Sequence, residues 1–341
     1  MRTDYAPLDA RARGIAQHLC SREELERWAA LPDPQTLARA LESSGRLAAP
    51  LPEAAGAADI EEAQRRTVAD YLARLGRWAA PANPVLDAFY AEQERRCLRA
   101  LVRGALQAAP AEARLAGLLP TPRLPVPVLA EFAQARTPRE IAMRLLVLGD
   151  PHAEALAALT AQARVDPLDV ELALARVLAE RWRRAAKEGD AALRECIRTR
   201  IDLTNAQAAL ELAGSPTDSA APALFIDGGR TLDHETFLCA ATAASSEAAA
   251  ATLARKFAGS ALSRLFARPP DDPAQLGVDG LVHMIGALRR KSRVEPLGSA
   301  PVQLLLARLD AQSADIRRLA WGLALGVPPA ALRNALVTPW H

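Results

Sequence analysis

Dense helix-start signals, set against an almost complete lack of strand signals, constrain the fold of this 341-residue chain most. Ser21-Arg22-Glu23-Glu24 spells a capping box, in which the Ser hydroxyl takes a free amide and Glu24 reaches back. Thr137-Pro138-Arg139-Glu140 spells another, with proline at the first helical position, where no amide hydrogen is needed. Asp33-Pro34, Asn83-Pro84, Asp150-Pro151 and Asp166-Pro167 repeat the same cap-then-proline order. Between these starts, apolar residues recur at helical spacing. Ile60, Val68, Leu72 and Leu75 form one stripe; Leu86, Phe89, Tyr90, Cys97, Leu98, Leu101, Val102 and Ala105 form a longer one. Residues 166–187 are predicted as a long helix ending near Gly189, and 190–212 as another ending at Gly214. The best strand candidate, Leu124-Pro125-Val126-Pro127-Val128, carries two prolines that would interrupt a ladder. The expected fold class is all-α.

Length favours two or three packed units, and 50% hydrophobic with 24% charged residues is ample for a core. Aromatics are only 4%, so that core must be built from Ala, Leu and Val through many close helix contacts. A net charge of +2 is too balanced for a dedicated nucleic-acid binder. Cys20, Cys97, Cys196 and Cys239 form no CxxC pair, so neither a zinc site nor a disulfide framework is expected. The opening Met1-Arg2-Thr3-Asp4-Tyr5 leads into charged sequence without an apolar signal core. The longest uncharged run, Leu319 to Leu332, spans 14 residues and contains Pro328-Pro329, too short and too broken to cross a bilayer. An intracellular protein is the expectation.

Two stretches resemble each other about 100 residues apart. Glu94 to Gln107, then Leu118 to Pro125, then a helical segment, match Leu193 to Gln207, then Phe225 to Asp233, then another helical segment. In this alignment Cys97 falls opposite Cys196. A third copy ends the chain, where Leu304 to Gly326 leads to Pro328-Pro329 and a short helix. A repeated helical unit buries its apolar face against its neighbours.

No motif nominates an active site. GxGxxG, GxxxxGK[ST], GxSxG and HExxH are all absent, and His234-Glu235 is followed by Leu238 where a second zinc-binding His would stand. His18, His152, His234, His283 and His341 are scattered. Asp279 and His283 can share a helix face as a surface pair, and Asp271-Asp272 reads as a proline-flanked turn and cap. The run Arg176, Arg181, Arg183, Arg184, Lys187, Arg194, Arg198 and Arg200 reads either as a docking surface or as a solvated face paired with Glu180, Glu188 and Glu195, the second being preferred. Arg289-Arg290-Lys291-Ser292-Arg293 ends a helix, where the macrodipole favours positive charge.

Three regions in order resemble the C-type (also called d-type) subunit family of V-type and A-type rotary ATPases. They are Tyr5-Ala6-Pro7-Leu8-Asp9-Ala10-Arg11-Ala12-Arg13 with Leu19 and Ser21 to Leu25; Ile201-Asp202-Leu203-Thr204-Asn205 with Phe225 to Leu232; and Leu304 to Arg308 with Asp315-Ile316-Arg317-Arg318-Leu319. The chain departs from the family pattern at Asp227, where Pro is usual, at Glu211, where a basic residue is usual, and at Arg318, where Asn is usual. The first copy, Leu101-Val102-Arg103-Gly104, lacks the Asp-x-x-Asn. The resemblance implies three helical units arranged as a funnel: 33–149, 150–240, and 1–32 packed with roughly 240–341. It further implies a central-stalk connector without active site or cofactor, coupled to proton or sodium transport. Such a protein sits peripherally on the cytoplasmic face and passes torque between the central shaft and the membrane proteolipid ring. Tyr5, Arg11, Arg13, Asp202, Asn205, Gly228, Gly229 and Arg317 are the family-motif or partner-contact positions so implied. Each has a structural alternative. Asp202 and Asn205 can satisfy backbone groups at an adjoining turn, Gly228-Gly229 can permit a left-handed turn, and Tyr5, Arg11 and Arg13 can be packing and solvated residues. A free-standing helical-repeat adaptor is the runner-up, and a metal-dependent helical enzyme the third reading.

Overall fold

Side-chain caps set where the helices begin. Asp33 accepts from the Thr36 amide at 2.7 Å, Asn83 from Val85 and Leu86, Asp166 from Leu168, and the Ser21 box closes on Glu24 in both directions. The computed structural model describes residues 5–80, 83–162, 164–214, 221–267 and 273–339, apart from the side chains of Pro273 and Ala274. The expectations for Met1 to Asp4, for the Asp271-Asp272 cap and for His341 lie outside these residues.

Among the described residues there are eighteen helices and no strand, so the fold is all-α. Six are long: α4 (Ala57–Gly76), α5 (Pro84–Leu106), α10 (Pro167–Glu188), α11 (Ala191–Leu212), α16 (Pro273–Val294) and α17 (Ala300–Ala324). Three short helices precede them: α1 (Ala6–Ala16), α2 (Arg22–Trp28) and α3 (Pro34–Ser43). Between α5 and α10 lie α6 (Ala111–Leu115), α7 (Val126–Ala133), α8 (Pro138–Leu148) and α9 (Ala153–Thr160). Between α11 and α16 lie α12 (Ala221–Leu224), α13 (His234–Ala241), α14 (Ser246–Phe257) and α15 (Ser263–Phe266); α18 (Pro329–Asn334) follows α17.

Two local expectations shift. Asp150-Pro151 does not cap a helix directly: Asp150 accepts from the His152 amide and ring, and α9 starts only at Ala153. At Thr137 only half the box forms, because Glu140 takes the Arg136 amide instead of reaching the cap residue.

One core draws Val68, Leu72 and Leu75 of α4, Leu86 and Phe89 of α5, Leu178 and Trp182 of α10, Leu193 and Ile197 of α11, Val302 and Leu306 of α17, and Tyr5 and Leu8 from the N-terminal segment. These residues lie near the helix ends joined by the connections 77–83, 189–190 and 295–299. Away from those connections the core divides. The C-terminal half of α5 packs with α7, α8 and α9; that of α11 with α13 and α14; that of α17 with α2, α3 and the start of α4. Five long helices thus share one apolar end; toward the other they part into pairs, α5 staying against Val170 and Leu174 of α10 and α4 staying against α17.

A recurrent hydrogen-bond pattern fixes the connection that follows a long helix. Asp202 accepts from the amides of Arg230, Thr231 and Leu232, and Asn205 both donates to the Ile226 carbonyl and accepts from its amide. On α5, Glu94 accepts from the Thr121 hydroxyl at 2.9 Å and Cys97 donates to the Leu119 carbonyl. On α17, Asp315 accepts from the amides of Val337 and Thr338. The register of these bonds sets Glu94-x-x-Cys97, not Cys97 and Cys196, against Asp202-x-x-Asn205. The α5 segment still lacks the Asp-x-x-Asn; Glu94 and Cys97 bond the following connection from a place nine residues before the one where the sequence alignment looks for it.

Candidate functional site

Where the long helices separate, they enclose a cavity of about 490 Å³. Its wall takes residues from all six: Glu61 and Arg65 of α4, Glu92 and Arg96 of α5, Trp182 of α10, Arg200 and Thr204 of α11, Met284 of α16, and Asp310 and Arg317 of α17. Six arginines (Arg65, Arg95, Arg96, Arg99, Arg200 and Arg317) face three acids (Glu61, Glu92 and Asp310) among the described lining residues, so the interior carries surplus positive charge.

Part of that charge is neutralised within the wall. Glu92 accepts from Arg95 at 3.2 Å and Arg96 at 3.0 Å; Glu171 of α10 draws Arg99 at 3.0 Å and Arg103 at 2.9 Å. Glu61 accepts from the Trp321 indole at 2.9 Å, and Arg65 is held by Glu62 and the Leu118 carbonyl. Arg96 reaches the cavity with its side chain 52% exposed. Arg317 lines the cavity and makes no hydrogen bond or ion pair with any described residue. Burial drives the Asp310 carboxyl up, with Glu92 adding to the rise, against the opposing pull of Arg96 and Arg200.

Burial also pushes the Glu92 carboxyl up, but Arg95, Arg96 and Arg200 overcome it and hold the group at about 2, from an ordinary 4.5. The folded value is depressed, so this stabilisation is present above pH 4.5 and is lost as pH falls toward 2. Its size is on the order of 3 kcal/mol. Unfolding free energies compared at about pH 6 and about pH 2 should show Glu92→Gln losing correspondingly less stability on acidification than the parent chain. An identical acid limb in both proteins would refute the assignment.

The sequence-predicted positions divide between this cavity and the scaffold around it. Only Arg317 lines the cavity. Asp202, Asn205, Gly228 and Gly229 come together at one turn. Gly228 has φ +109°, the region that favours glycine; Gly229 has ordinary φ, but any Cβ there would run into the Asp202 carboxylate. Tyr5 is buried in the shared core, Arg11 stacks 4.1 Å over the Trp78 ring, and Arg13 bonds Asp9 and the Pro296 carbonyl.

The arginine run on α10 and α11 is not a uniform solvated face. Arg181 is buried against Glu94 and Asp87 of α5, Arg194 caps the carbonyls of Ala186 and Gly189, and Arg200 enters the cavity. Asp279 takes its hydrogen bond from Gln275 at 2.9 Å. Sequence reasoning passed over Glu61, Glu92, Arg96 and Asp310. A signal was present in α5, where Glu92, Arg95, Arg96 and Arg99 sit among the apolar positions of the stripe.

Among the described residues, no group of three His, Cys, Asp or Glu side chains is placed to hold a metal ion, and no helix is long and apolar enough to cross a membrane. The profile of the family described as ATP synthase (C/AC39) subunit matches residues 8–335. No curated protein matches the chain.

Proposed function

The chain belongs to the V/A-type ATP synthase C/AC39 subunit family, and from that premise we propose that it is the non-catalytic central-stalk connector of a rotary ATPase. In this reading three helical units form a funnel, the charged cavity receives the foot of the central shaft, and the opposite side seats on the proteolipid ring. The connector sits on the cytoplasmic face and passes torque coupled to proton or sodium transport. One observation carries the reading: a cavity walled by all six long helices and lined by six arginines and three acids. A shaft gripped by many modest polar contacts distributed around such a wall resists slipping, although each contact alone is weak. Close-packed Ala and Leu helices supply the stiffness that torque transfer requires. The apolar end shared by five long helices favours this closed arrangement over the open solenoid of a free-standing adaptor.

The test is recovery of the tagged chain from gently solubilised native membranes, followed by mass spectrometry. Proteolipid and shaft proteins are expected together, and Arg317→Glu is expected to lower shaft recovery several-fold while proteolipid recovery persists. Finding the chain wholly in the soluble fraction, with neither class of partner attached, would overturn the proposal.

A further inference from the structure

A second cleft, of about 380 Å³, lies apart from the central cavity, between α1, the end of α16 and the first half of α17. Arg13, Arg289, Arg293 and Arg308 line it, and none of its described lining residues is acidic. Arg13 is fixed in place by Asp9 at 3.1 Å and the Pro296 carbonyl at 3.1 Å. Arg308 is half-buried and has no acid or carbonyl partner among the described residues; burial, and then the neighbouring Arg289, lower its affinity for its proton. The Ser292 hydroxyl in the same wall is buried and likewise lacks a hydrogen-bond partner. Among the described residues, a partly desolvated guanidinium beside an unused hydroxyl is a costly arrangement without an anion. Guanidinium forks match phosphate oxygens in geometry and charge. Val294 and Leu297, next in sequence to the lining residues Arg293 and Pro296, are 76% and 70% exposed, so apolar surface lies open close in the chain to the basic groups. Exposed apolar residues next to a basic cleft suit a headgroup whose acyl chains lie alongside.

We propose that this cleft binds the phosphate group of an anionic lipid headgroup, with Arg293 and Arg308 as its principal ligands and Val294 and Leu297 touching the lipid beside it. The proposal does not depend on the central-stalk reading.

Flotation of the full chain with phosphatidylcholine vesicles, with and without phosphatidylglycerol, tests it, alongside thermal unfolding with and without inorganic phosphate. The chain is expected to float only with phosphatidylglycerol. Arg293→Gln with Arg308→Gln should weaken that binding at least about tenfold, as loss of charge-assisted hydrogen bonds predicts. Arg308→Gln alone removes a partly desolvated charge and should fold normally, while Arg39→Gln, an exposed arginine on α3, should bind like the parent. Val294→Ser with Leu297→Ser should weaken flotation but keep any stabilisation by inorganic phosphate. Equal flotation of the parent and the double arginine variant, or equal losses in Arg39→Gln, would overturn the site. Stabilisation by phosphate without flotation would overturn the lipid assignment and make the ligand a soluble phosphate.

Discussion

Replacing Arg181 with methionine is expected to destabilise the protein by about 3–5 kcal/mol, because it removes one side of a buried charge cluster and leaves the other. Arg181 lies on α10, where its guanidinium meets the Glu94 carboxylate and reaches Asp87 at 2.7 Å. Glu94 is 1% exposed, and its other oxygen already accepts from the Thr121 hydroxyl. Burial lowers the Arg181 proton affinity, but Glu94 and Asp87 more than reverse this, so the ion is fully formed. Without it, the buried Glu94 side chain is left with no cation against it. The neighbouring Trp182 indole donates to the Ala88 carbonyl at 3.2 Å, so α5 and α10 are joined by both residues at once. Denaturant unfolding should place Arg181→Met far below the parent. Adding Glu94→Gln to it should recover part of the loss, since the stranded charge is then gone. Equal midpoints for the parent and Arg181→Met would rule out the buried cluster.

Asp202→Ala is expected to have an effect of similar size, but a local one. Three backbone amides, those of Arg230, Thr231 and Leu232, converge on this carboxylate, which is 1% exposed. Stranding buried donors costs about 1–3 kcal/mol each, so about 3–5 kcal/mol in total once water reaches some of them. Hydrogen exchange should show protection lost at these three amides while the amides of α5 and α10 keep theirs. Burial raises the Asp202 carboxyl above its ordinary range, against the pull of the Leu232, Thr231 and Arg230 amides. A raised folded value means that this group's contribution is fully present below the unfolded pKa and declines as pH rises through the folded one. Asp202→Asn keeps an acceptor and should lose less than Asp202→Ala while removing that pH dependence. Unchanged exchange at Arg230 to Leu232 in the alanine variant would show that the carboxylate does not hold the turn.

The helices themselves were legible because their signals are local. A cap and its amide lie two or three residues apart, and an apolar stripe repeats within a turn, so Asp166, Gly189 and Asp190 bound α10 and α11 where the sequence predicts. The Leu124 to Val128 segment was rightly denied to a strand, since its prolines fit the start of α7. The family was legible from short motifs in order, and its profile spans nearly the whole chain. The cavity was not. Arg181, Arg184 and Arg200 look alike in sequence, yet one is buried against α5, one is exposed and one lines the cavity. What separates them is the rotation of each long helix about its axis and the neighbours it meets there. The Glu94 staple was missed for a related reason: only the fold brings Thr121 to it, and a shift of nine residues is invisible to an alignment of apolar spacing. The sequence by itself determined the all-α class, most of the helix starts it marks and the family, since these rest on short stretches of chain. The tertiary structure alone decided which charges are buried, which are paired and which face the cavity, because desolvation and pairing depend on groups far apart in the chain.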